Sequence, residues 1–216
     1  MTDARRVSGA ADQADTRPAH LVSTTRLEAF SDGVLAIAIT LLILEIKVPD
    51  SEHGRLWHDL GRLWPSYGGF VISFLTIGVM WANHHRLFGE LEFLDHGLLY
   101  KNLFLLGAIS FIPFPTALMA RYVQDGGDNA SAAVGLYGLT MIAISLGYLL
   151  LWAHVHRHPE LLKSQNSAIR PVVEAQRSAI AMGVYVAATI LCFFSPTATL
   201  VIFAGIVAAY AFNKSQ

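Results

Sequence analysis

The chain has 216 residues, 54% hydrophobic and only 14% charged, with a formal net charge of −1. Soluble domains carry about 25% charged residues, so this chain is depleted by nearly half, and its charges gather between long apolar runs, the pattern of a polytopic membrane protein. The near-neutral balance without a basic stripe excludes a nucleic-acid binder, and the single cysteine, Cys192, excludes a disulfide framework or a thiolate metal cluster.

Residues 1–24 are polar, rich in Ala, Asp, Arg and Thr, and lack the apolar stretch of a signal peptide. They read as a disordered cytosolic tail. Residues 25–216 read as one domain with six apolar segments, at about 26–48, 65–86, 98–121, 131–154, 177–195 and 197–213. Roughly 20 residues cross the hydrocarbon core as a helix, so the predicted fold is all-α, with six transmembrane helices per subunit. Between the first two segments, "SEHGRLWHDLGRLW" places Leu56, Trp57, Leu60, Leu63 and Trp64 on one helical face, which predicts a short helix on the outer membrane surface. The third segment contains "FIPFP", where Pro113 and Pro115 should bend it. Segments four to six are rich in Gly, Ala and Ser, which permits close helix packing in lipid. Only Ser195-Pro196-Thr197 separates the last two, predicting a tight helical hairpin. With the N-terminus inside, just Lys47, Arg55, Arg62 and Arg121 of the 15 Lys and Arg residues fall on the outer side. The positive-inside bias therefore predicts that both termini are cytosolic.

The first segment, "RLEAFSDGVLAIAITLLILEIKVP" from Arg26 to Pro49, carries the most specific pattern. At 100° per residue Gly33, Ile37, Thr40, Leu41, Leu44 and Val48 share one face, whereas Ser31, Asp32 and Glu45 point elsewhere. Periodicity alone fits ordinary helix packing. If the face lined a pore, Ile37, Leu41 and Leu44 would form hydrophobic rings and Thr40 a ring of hydroxyls. Asp32 needs a partner, because an intramembrane carboxylate costs on the order of 3 kcal/mol at mid-helix and less toward the interface. Segment one begins and segment two ends on the same side, so the candidates are Trp81, Asn83, His84, His85 and the nearby Arg26, with Ser31 extending the network. Such a network would fix the rotation of the first helix.

Arg26-x-x-x-Phe30-Ser31-Asp32 followed by "GVLAIAITLLILEIKVP" resembles the signature of the transmembrane protein 175 family of potassium channels, and "WANHHR" at the end of segment two also looks familial. The animal form carries two six-span repeats, so a chain with one resembles the prokaryotic form. The resemblance implies a homotetramer in the cell membrane whose first helices line a central potassium pore. It places the narrow hydrophobic constriction on Ile37, further rings on Leu41 and Leu44, and the threonine linked to potassium preference on Thr40. Phe-Ser-Asp would then anchor the helix. The implied partners are identical subunits, membrane lipid and the permeant potassium ion; no cofactor and no resident metal are expected.

Other motifs lead less far. "VGLYG", Val134–Gly138, superficially resembles a carbonyl filter, but an inserted Leu breaks it, and such a filter needs an extended loop. His154 and His158 stand four residues apart and can share a helix face, yet no third donor stands at a fixed spacing, so His154, His156 and His158 read as a polar cluster at a helix C-terminus. No nucleophile elbow, phosphate loop or carboxylate dyad points to an enzyme. The alternative function is a secondary cation or proton-coupled transporter, which commonly shows internal repeats and broken helices at the midplane; a non-conducting membrane scaffold is the third.

Overall fold

The computed structural model describes residues 22–164 and 170–212. The expected tail lies outside them, save at its end, where Val22–Ser23 (β1) is a strand rather than irregular chain. It pairs antiparallel with Phe93–Leu94 (β2), Val22 opposite Leu94.

The helices follow the apolar runs. They are α1 (Thr25–Leu41), the short α2 (Leu56–Arg62), α3 (Trp64–Gly89), α4 (His96–Ser110), α5 (Pro113–Tyr122), α6 (Gly127–Arg157), α7 (Pro171–Leu191) and α8 (Pro196–Phe212). Pro occupies the first turn of α3, α5 and α7, where its missing N–H would lack an intrahelical partner anyway. Among the described residues four segments are long and apolar enough to cross a membrane: Thr25–Glu45, Trp64–Gly89, His96–Tyr122 and Gly127–Arg157. The chain is thus a multi-pass membrane protein. Polar Glu174, Gln176 and Arg177 occupy the first turns of α7, and α8 is 17 residues long.

Two expectations need adjusting. α1 tightens into a 3-10 turn over Leu42–Glu45 and ends with Ile46 extended, so Val48 lies beyond the helix and is 91% exposed. Pro49 disfavours helical backbone at Val48, and Lys47 Nζ closes the end by donating to the Leu44 carbonyl at 2.9 Å. The third segment is interrupted outright, as α4 stops at Ser110 and α5 begins at Pro113. Neither Pro113 nor Pro115 can donate backward, yet the carbonyls of Ile109 and Phe111 accept from Ile112 and Phe114 instead, so a tightened turn satisfies the break.

Polar cross-links show how consecutive long helices run antiparallel. The start of α1 meets the end of α3 through Asp32 and Trp81, and the start of α6 meets the end of α7 through Ser131 and the Cys192 carbonyl. Arg86 near the end of α3 reaches Glu174 at the start of α7 at 3.0 Å. Within the bundle Ser73 of α3 lies 2.8 Å from the Thr116 hydroxyl of α5, and the Tyr148 hydroxyl of α6 donates to the Met80 carbonyl of α3 at 2.6 Å. Lipid gives no hydrophobic drive between helices, so such bonds and close packing set the arrangement. Residues 134–138 lie inside continuous α6, which leaves no extended filter. Gly138 is there for contact: a methyl group at its position would collide with Thr189 of α7.

Candidate functional site

α1 divides into two faces. Ser31, Leu35, Ala38 and Leu42, spaced by four, three and four residues, are buried against the bundle. Opposite them Ile37, Thr40, Leu41 and Leu44 are exposed, Ile37 to 61% and Leu44 to 60%. Leu41 and Leu44 span the change to 3-10 winding, in which residues three apart eclipse one another, so the apolar row continues past the end of the α-helix. The Thr40 hydroxyl donates back to the carbonyls of Ala36 or Ile37 at 2.9 and 3.0 Å. Its proton is therefore engaged, and the oxygen presents lone pairs outward.

The anchor forms at the first turns of α1. Ser31 Oγ donates to the Leu27 carbonyl at 2.8 Å and accepts from Asn102 Nδ2 of α4 at 2.9 Å. Asn102 Oδ1 then faces His84 Nε2 of α3 at 2.9 Å. This directional chain fixes the histidine: Oδ1 can only accept, so Nε2 carries a proton. His84 Nδ1 has no partner among the described residues, which suits a lone pair better than a second N–H. All three side chains are fully buried, tying α1, α3 and α4 at one point. The His84 ring also stacks on Phe88, centroids 4.2 Å apart.

A more exposed layer lies beside it. Trp81 Nε1 donates to Asp32 Oδ1 at 3.1 Å, His85 Nδ1 stands 3.4 Å from Glu28, and the Trp81 and His85 rings stack. The partner of Asp32 is thus a neutral indole from the expected set rather than a cation. Of the other candidates, Asn83 turns away to line a cleft with Arg86, Tyr148 and Glu174. Arg26 and Phe30 are exposed and make no polar contact within the subunit among the described residues. Two members were not expected. Asn102 is an amide inside an apolar helix, a signal legible in "YKNLFLLGAIS". Glu28 lies one turn before Asp32 on the same side of the helix.

The family described as "Endosomal/lysosomal potassium channel TMEM175" matches residues 26–113, a stretch that includes the whole anchor and the apolar face. A potassium channel of Streptomyces collinus is 43% identical over 193 residues, covering 88% of this chain and 92% of that protein. A potassium channel of Chamaesiphon minutus is 42% identical over 177 residues, covering 80% and 85%. Among solved structures, the crystal structure of a lysosomal potassium-selective channel TMEM175 homolog from Chamaesiphon minutus superposes with a TM-score of 0.77 at 37% identity, covering 89% of this chain and 98% of that one. The anchor and the exposed row of α1 therefore sit in a chain that belongs to the TMEM175 potassium channel family.

Proposed function

We propose that the protein is a potassium-selective cation channel of the cell membrane, built as a homotetramer with the exposed face of α1 from each subunit lining the pore. The observation that carries this reading is the division of α1: one face is locked by a buried polar network, while the other leaves Ile37, Thr40, Leu41 and Leu44 uncovered. One helix face cannot enclose an ion path, but identical copies around an axis can. Each subunit would cross the membrane six times, α7 and α8 forming the last pair, with both termini cytosolic as the Lys and Arg distribution favours.

Rings of Ile37, Leu41 and Leu44 then act as apolar constrictions that strip water from any ion. Sodium holds its water more tightly than potassium, so dehydration favours potassium. The Thr40 oxygen, its proton engaged by the backbone, offers lone pairs that replace part of the lost hydration. Arg26 and Phe30, exposed on the isolated subunit, would meet a neighbouring subunit. A transporter reading gains little from the break between α4 and α5, because a tightened turn already supplies the carbonyls of Ile109 and Phe111 with backbone donors and leaves no unwound stretch there.

The test is recording in planar bilayers under bi-ionic potassium/sodium conditions, with Ile37→Cys in a Cys192→Ser background. Cation currents with a reversal potential favouring potassium, and block by pore-sized thiol reagents, are expected. A modified Ile37→Cys channel that conducts normally would move the constriction elsewhere, and the absence of any current would remove the channel reading.

A further inference from the structure

The fold completes a donor set that the sequence leaves unfinished. His154 and His158 lie at the C-terminal end of α6, four residues apart, with ring centroids 4.5 Å from each other. Asp95 precedes the first turn of α4, and one of its oxygens lies 2.9 Å from His154 Nε2, the other 3.0 Å. One ligand atom from each of Asp95, His154 and His158 falls within 4.8 Å of the others. We infer that these three side chains form a binding site for a divalent transition cation of the zinc class, stapling the start of α4 to the end of α6.

The chemistry fits the ion. Two imidazoles and a carboxylate suit zinc better than a hard cation such as magnesium or calcium, which takes oxygen donors. In a tetrahedral site with donors about 2.05 Å from the ion, donor atoms stand roughly 3.3 Å apart. Asp95 and His154 are already close to that separation, with a shared proton where the metal would sit. Only His158, half-exposed at the helix end, has to close in. A water would take the fourth position.

The supporting groups resemble those behind natural metal ligands. Leu98 N–H donates to Asp95 Oδ1 at 2.7 Å and orients the carboxylate, while Glu160 lies 3.0 Å from Nδ1 of His158. Gly97 leaves room for the His154 ring, since a Cβ there would stand 2.8 Å from Cε1. Nearby backbone fixes the segment after α6, with Glu92 N–H donating to the Leu161 carbonyl and Lys163 N–H to the Glu90 carbonyl, both at 2.9 Å. Seven residues along α4 from Asp95 stands Asn102, so a bound ion would bear on the helix that holds Ser31 of α1. The site itself stands apart from the channel reading, since no current enters its test.

The experiment titrates zinc alone into purified, chelator-stripped full-length protein in detergent, followed by calorimetry and thermal unfolding. One equivalent bound per chain with a raised Tm is expected. Cobalt in place of zinc should give the visible ligand-field bands of a tetrahedral site. His158→Ala, at a half-exposed position, should weaken binding at least tenfold and abolish those bands, while His156→Ala should leave both intact. Unaltered zinc affinity and cobalt spectrum in His158→Ala would overturn the site, as would no zinc binding by the unaltered chain.

Discussion

The two halves of α1 are held by opposite chemistry. The first half is fixed by directed bonds, Ser31 to Asn102 to His84 in the core and Asp32 to Trp81 at the edge. The second half opens an exposed row, running from Ile37 to Leu44, in which Thr40 alone carries a polar side chain and turns it back onto the α1 backbone. Hydrogen bonds are directional and specify one rotation of the helix. Apolar contact is not, so the row is free to meet whatever lies across it. Rotational precision at one end is what makes an apolar row useful at the other, because a helix turned by one residue would present a different set of side chains.

The sharpest way to break the contrast is Asn102→Leu. It strands the Nε2–H of His84 in the core and removes the donor to Ser31, at roughly 1–3 kcal/mol for each buried group left unpaired. A marked fall in Tm and loss of assembled protein on size-exclusion are expected; near-unaltered unfolding would show that the network is not the anchor. The opposite half should respond in conduction and not in folding. Ile37→Ala widens the proposed ring, lowers its dewetting barrier and should raise single-channel conductance, with Tm hardly moved because the side chain is exposed in the subunit.

Trp81→Phe probes the edge of the anchor, deleting the bond to Asp32 while keeping an aromatic surface for His85. An exposed bond of this kind to a charged acceptor is worth about 1.5 kcal/mol, so a small Tm decrease is expected, well short of that in Asn102→Leu. An equal loss in the two variants would show that the Asp32–Trp81 bond holds the helix as firmly as the Asn102 network. Thr40→Val keeps the branched shape and deletes the outward oxygen. The potassium/sodium permeability ratio should fall while stability changes by less than about 0.5 kcal/mol, and a ratio equal to that of the unaltered channel would make Thr40 a packing residue. Val48→Ala should be the mildest, within about 0.5 kcal/mol and without effect on conduction, since Val48 lies past the helix.

The sequence by itself determined the apolar runs and thereby the helices, because length and hydropathy are local properties. It also placed the short α2 and the short link before Pro196, and it put a bend, though not the outright interruption, near residue 113. The face bearing Ile37, Thr40, Leu41 and Leu44 was legible from helical period, but its extension to Val48 was not, as the period is lost where Pro49 and the 3-10 turn end the helix. Tertiary structure alone decided who meets whom. Among the polar residues near the end of α3, packing sent His84 inward to Asn102, Trp81 to Asp32, His85 to Glu28 and Asn83 into a separate cleft, a division that sequence proximity cannot make. Likewise a histidine pair without a third donor gained Asp95 from 59 residues upstream. Period fixes a residue's direction around its own helix. Only the docking of a second helix, set by close-packed small residues and satisfied buried polar groups, fixes what stands opposite.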